Sequence, residues 1–252
     1  MSNERKIMRK RIVILLLVLC AVIGIAWADS LDRAKKLYLL GEYDNSICEL
    51  RSSQGMFTKE ELYLMGMNYL KVGDYPQARK YFRSILKKYK QTDLYEQAMV
   101  KLGDAFFLEG NYDKAENLYE NMLEKYSRTR FKPLLYLRLA QISSKDGHWD
   151  REKKYIRKIK KDFSQSTERK YADILDDRGY FFTIQVGAFS RKDNAENLAA
   201  ELKPDFDSYL AREKLGEDFL YKVRVGKYQQ RGPAEQDYRK LIDLGLPARI
   251  YP

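Results

Sequence analysis

The chain has 252 residues, 44% of them hydrophobic, and a net charge of +11 from 47 basic and 36 acidic side chains. That is enough chain for one large or two modest domains. Two cysteines and one histidine exclude a disulfide framework and a histidine-based metal centre, so packing must hold the fold.

The first eleven residues, MSNERKIMRKR, carry five positive charges and one negative. Ile12 to Trp27 form an apolar run, and Ala26-Trp27-Ala28 precedes Asp29. A basic start, a short apolar run and an A-x-A exit describe a secretory signal peptide over residues 1–28. The alternative is an uncleaved anchor, which would put the chain at a membrane, but the run is short of the about 20 apolar residues that span a bilayer core. A lipoprotein reading at Cys20 is opposed by Leu19, which stands where a small residue belongs. A chain starting at Asp29 keeps a charge of +7, that is +11 minus the +4 of the basic start. Its one thiol, Cys48, reads as a small buried hydrophobe.

From residue 31 to about 177 the sequence repeats itself. Gly41-Glu42-Tyr43, Gly73-Asp74-Tyr75, Gly110-Asn111-Tyr112 and Gly147-His148-Trp149 recur at spacings of 32, 37 and 37. Each lies between two segments of helical periodicity, where Gly ends one helix in a left-handed turn and the aromatic fills the angle before the next. Leu62, Met65, Gly66 and Tyr69 share one face of a first helix, and Ala78, Phe82 and Ile85 share one face of a second. Small Gly66 and Ala78 let the two helices approach, with Phe82 filling space toward the neighbouring unit. Met99, Leu102, Gly103 and Phe106, then Ala115, Tyr119 and Met122, repeat the pattern. These offsets resemble the tetratricopeptide repeat, in three to four copies within residues 29–177. The flanking units depart from it, with Ser46 and Glu152 where a small residue belongs, as terminal caps of a solenoid do. The resemblance implies an all-α solenoid whose groove takes a protein partner. The aromatic and Met stripes sit at packing offsets and are read as core. The basic stretches Lys87–Lys90 and Arg151–Lys161 are read as solvated helix faces.

From residue 178 the period changes. Phe181 to Val186 alternates as a strand, with Thr183 and Gln185 opposite Phe182, Ile184 and Val186. Asn194 to Leu202 has helical spacing, Phe206 to Arg212 and Phe219 to Val225 read as strands around a turn at Leu215–Asp218, Pro233 to Leu244 as a helix and Ala248 to Tyr251 as a last strand. The order is β-α-β-β-α-β, an α+β unit whose four-stranded antiparallel sheet carries both helices on one face and leaves the other open. The stretch Ile184–Phe189, Asn194-Ala195, the stretch Tyr221–Gly226, Ala234 and Gly245–Ile250 resemble the SPOR (sporulation-related repeat) domain over residues 178–252. That resemblance implies binding of peptidoglycan glycan strands whose stem peptides have been removed, strands that are enriched at division septa. It places the glycan on the open face, here on Gln185, Leu220, Lys222 and Arg224, with Ile250 near one end. Gln185 can donate to and accept from sugar hydroxyls and N-acetyl groups. Lys222 or Arg224 can pair with the lactyl carboxylate that peptide removal exposes. Leu220 and Ile250 can lie under apolar ring faces. Ala188 stands where the family often has a hydroxyl residue, and Leu220 where it can have an aromatic.

Other functions are weighed on the same residues. His148, in a repeat turn, has no partner set for nucleophilic or metal chemistry, and no carboxylate pair sits in a motif, so a lytic enzyme is the weaker alternative and no cofactor is called for. A nucleic-acid module of similar topology is opposed by 12 basic against 11 acidic side chains in residues 180–252 and by the expectation that the open face lacks a pair of stacking aromatics. An envelope scaffold whose repeats alone carry the function is the third reading.

Overall fold

The computed structural model describes residues 30–52, 56–90 and 92–252. The expected export segment, residues 1–28, lies outside them. Among the described residues no helix is long and apolar enough to cross a membrane. The chain forms two compact units that divide between Thr129 and Arg130.

The first unit contains α1 (residues 30–39), α2 (Tyr43–Ser52), α3 (Lys59–Val72), α4 (Tyr75–Lys88), α5 (Asp93–Glu109) and α6 (Tyr112–Lys125). Consecutive helices from α2 to α6 pack on one another. Gly41, Gly73 and Gly110 adopt φ of +83° to +85°, a conformation that costs a residue with a Cβ about 1–2 kcal/mol. The chain therefore turns where the repeated Gly predicts. The start of α3 is held by a reciprocal cap. Thr58 Oγ1 accepts from the Glu61 amide at 3.2 Å, and the Glu61 carboxylate accepts from the Thr58 amide at 2.7 Å.

A Cβ on Gly66 would stand 2.5 Å from Phe82 Cε1, so the Phe82 ring lies on Gly66 within its own hairpin, and the glycine is required there. Tyr119 repeats this over Gly103, where a Cβ would be 2.4 Å from its ring, and its hydroxyl donates to Asp104 Oδ1 at 3.0 Å. Ser46 is buried at its close-approach position. It donates to the Ala34 carbonyl at 2.8 Å and accepts from Asn68 Nδ2 at 2.9 Å. Cys48 is exposed, against the sequence reading. α2 buries Ser46, Ile47 and Leu50, and that spacing turns position 48 away from the core.

The second unit contains α7 (Lys132–Lys145), α8 (Trp149–Asp162), α9 (Glu168–Asp177), β1 (Phe182–Phe189), α10 (Lys192–Leu202), β2 (Ser208–Leu215), β3 (Asp218–Tyr228), α11 (Arg231–Asp243) and β4 (Arg249–Tyr251). The strands form one antiparallel sheet in the order β2-β3-β1-β4. Ile184, Val186, Val223 and Val225 face α10 and α11 and form a core with Ala195, Leu202, Phe206 and Leu241.

The expected boundary at 177/178 falls inside this unit, because the last helical hairpin is packed onto the sheet. Gly147 turns at φ +73°, and Trp149 behind it packs against Phe182 with ring centroids 5.0 Å apart and planes tilted by 58°. The indole Nε1 donates to the Gln229 carbonyl at 2.9 Å. Glu152, also at a close-approach position, is fully buried and accepts from Arg178 at 2.8 Å. Arg178 also donates to Ser144, which fastens the linker onto α7 and α8. Burial pushes the Glu152 carboxyl up, against the hydrogen bond and charge of Arg178 that hold it down.

Candidate functional site

Residues paired across neighbouring strands share a face of the sheet. The register therefore assembles one row with a residue from every strand: Tyr209 opposite Arg224, Arg224 opposite Gln185, and Gln185 opposite Arg249. Three inter-strand steps of about 4.8 Å make this row roughly 14 Å long. It lies on the face away from α10 and α11. Gln185 points outward as its alternation predicts. Arg224 Nε, at the centre of the row, is buried and has no hydrogen-bond partner among the described residues.

The other expected residues fall as follows. Lys222 lies on the same face, opposite Ala211 and Ala188, and pairs with Glu213. Leu220, half-buried, stands opposite Glu213. Ile250 does not belong to this face. It pairs with Ile184 and packs against the helix-covered core, while its neighbours Arg249 and Tyr251 take the open side. Period-2 alternation decides this, since the partner strand places Gln185, not Ile184, outward.

The face expected to lack a pair of stacking aromatics carries two tyrosines, Tyr209 and Tyr251. Tyr251 stands opposite Thr183. The Tyr209 hydroxyl lies 2.9 Å from Thr183 Oγ1, so its side chain crosses β3 to reach β1 and covers Thr183, which is buried. Lys227 Nζ sits 5.2 Å from the Tyr209 ring centroid and 5.4 Å from that of Phe181, a cation-π arrangement on two rings at once.

A β-bulge shapes the end of β1. The pairing shifts between Gln185 and Gly187. Val186 and Gly187 then both lie on the covered side, Ala188 faces out opposite Lys222, and Phe189 turns in toward the core. A Cβ on Gly187 would be 2.7 Å from Phe189 and 3.2 Å from Leu198, so glycine is required there by packing. On the other side of the sheet, Tyr228 donates to Asp237 at 2.7 Å and tethers α11. Burial, with that hydrogen bond, pushes its phenol well up.

Comparison with known families completes the assignment. A family model described as SPOR domain matches residues 179–247, and one described as Tetratricopeptide repeat matches residues 63–128. The chain joins a tetratricopeptide repeat region to a SPOR domain. Its SPOR domain is similar to the RlpA SPOR domain from Pseudomonas aeruginosa, at 20% identity over 28% of this chain and 97% of that one, with a TM-score of 0.27. It is similar also to the peptidoglycan binding domain of the B. subtilis cell wall lytic enzyme CwlC, at 29% identity over 28% of this chain and 86% of that one, with a TM-score of 0.25. The helical part is similar to PilW, a type IV pilus biogenesis factor, at 15% identity over 57% of this chain and 66% of that one, with a TM-score of 0.50. No curated protein matches the chain.

Sequence reading of the SPOR domain missed Tyr209, Arg249 and Tyr251. A signal for Arg249 was available, since it stands one residue from Ile250 and alternation puts the two on opposite faces. Tyr209 gave none, because its side of β2 is set only by pairing with Arg224.

Proposed function

We propose that this protein binds peptidoglycan glycan strands lacking stem peptides through the open face of its SPOR domain, while its helical repeats hold a protein partner. It works in the cell envelope at division sites, exported by residues 1–28, and catalyses no reaction. The observation that carries the reading is the row Tyr209-Arg224-Gln185-Arg249 with the unpartnered Arg224 Nε at its centre. Such a row suits an acidic sugar. Tyr209 offers a ring face for apolar sugar carbons. Gln185 offers a donor and an acceptor for an N-acetyl group. Arg224 and Arg249 offer charge-assisted bonds to a lactyl carboxylate. A stem peptide converts that carboxylate to an amide and adds bulk over the row, so it removes the pairing and obstructs the face. The peptidoglycan-binding domain of CwlC, to which this one is similar, supports the same ligand class. Near-neutral charge, with 12 basic and 11 acidic side chains in residues 180–252, supports a sugar over a nucleic-acid backbone even with aromatics on the face.

The test is co-sedimentation of the purified chain with intact and with amidase-treated sacculi, at low and high salt. Retention on the treated sacculi alone is expected, surviving the salt. Arg224→Ala should weaken it by about tenfold or more, the effect of one charge-assisted hydrogen bond. Equal retention on both sacculi, or none on either, would refute the assignment.

A further inference from the structure

The open face does not end at the sheet. A cleft of about 670 Å³ lies where the first turn of α8 meets the entrance to β1, lined by Trp149, Asp150, Lys153, Tyr180, Phe181 and Gln229 among others. Its volume is within the range of ligand sites. Phe181 belongs to its wall, and Lys227 lies over both Phe181 and Tyr209. The cleft is thus continuous with the Tyr209 end of the cross-strand row. On its far side Lys153 Nζ sits 4.5 Å from the Tyr180 ring centroid. Tyr180 is fixed by a hydrogen bond to Asp176. Among the described residues, neither Lys153 nor Lys227 forms an ion pair with a carboxylate. Two cations are therefore held against aromatic rings along one path, Lys153 beside Asp150 in the cleft wall and within the electrostatic reach of Glu152.

We infer that the glycan strand continues from the sheet into this cleft, where Phe181 and Tyr180 meet a further sugar ring and Lys153 meets its lactyl carboxylate. The inference rests on the proposed glycan reading and extends it, because this subsite is built jointly by the last helical hairpin and the residues flanking the sheet. Charge and continuity both select this occupant. A strand without stem peptides presents one carboxylate per disaccharide, and the path presents cations at Arg224, Lys227 and Lys153 in succession. The helical hairpin then serves glycan binding directly, beyond displaying a partner.

The experiment is calorimetric titration of the full chain with oligosaccharides of alternating N-acetylglucosamine and N-acetylmuramic acid, with free lactyl groups, of four and of eight sugars. The longer probe should bind about tenfold more tightly, beyond the few-fold that extra registers contribute. Lys153→Ala should abolish that gain while leaving the four-sugar affinity unchanged. Lys154→Ala, which removes the same charge from an exposed neighbour, should keep the gain. Gln185→Ala should weaken both probes. Equal affinity for the two lengths, or an unaltered gain in Lys153→Ala, overturns the subsite while the sheet-face reading stands. Binding of neither probe overturns both.

Discussion

The docking of the last hairpin on the sheet can be tested at Gly147. Alanine there has two costs. At φ +73° a Cβ adds about 1–2 kcal/mol of backbone strain. The same Cβ would stand 2.8 Å from Phe182 Cε2. Phe182 is buried and packed against the tilted ring of Trp149, which opposes its retreat, and overpacking of this kind costs about 1–3 kcal/mol more. Gly245 supplies the control within the same unit. Its φ is +78° and a Cβ there would meet nothing within 4 Å, so Gly245→Ala should show the backbone cost alone. The expected losses are about 2–5 kcal/mol for Gly147→Ala and about 1–2 kcal/mol for Gly245→Ala. Urea melts of a chain starting at Asp29 measure both. Trp149 is the one tryptophan left in that chain, so its fluorescence reports the contact itself. Shrinking the ring with Phe182→Leu should make Gly147→Ala less costly by about 1 kcal/mol or more, a coupling read from the double-mutant cycle. Equal losses at Gly147 and Gly245, with no coupling to Phe182, would refute the docked arrangement.

Three further outcomes are expected. Arg178→Ala leaves the Glu152 carboxylate buried without its partner and should cost about 3–5 kcal/mol at neutral pH. Burial already raises the Glu152 carboxyl, and a raised carboxyl contributes stability below its unfolded value that is lost as pH rises through the folded one. The deficit should therefore shrink between pH 7.5 and pH 5 in urea melts, and a constant or growing deficit would contradict the mechanism. Tyr119→Phe keeps the ring over Gly103 but removes the bond to Asp104, and should lower stability by about 1.5–3 kcal/mol in circular-dichroism melts. Cys48, exposed on α2, should react with a maleimide in the native protein, and protection until denaturant is added would contradict its placement.

Much of this protein is written in local pattern. Repeated Gly before an aromatic marks each helix end because only a left-handed residue makes that turn. Gly66 and Gly103 announce close approach because Phe82 and Tyr119 leave no room for a Cβ. Alternation alone put Gln185 outward and Ile184 inward. What local pattern could not reach depends on which distant residues are brought together. Ser46 and Glu152 break the small-residue rule in sequence, yet in space each is buried and bonded, one to Ala34 and Asn68, the other to Arg178. Phe189 breaks its strand's alternation because a bulge reverses the phase. Tyr209, Arg249 and Tyr251 joined the candidate face only through strand register, and Ile250 left it for the same reason. The cleft beside Trp149 exists because an aromatic from a helical turn found Phe182 across the expected boundary, a long-range packing event with no periodicity to announce it.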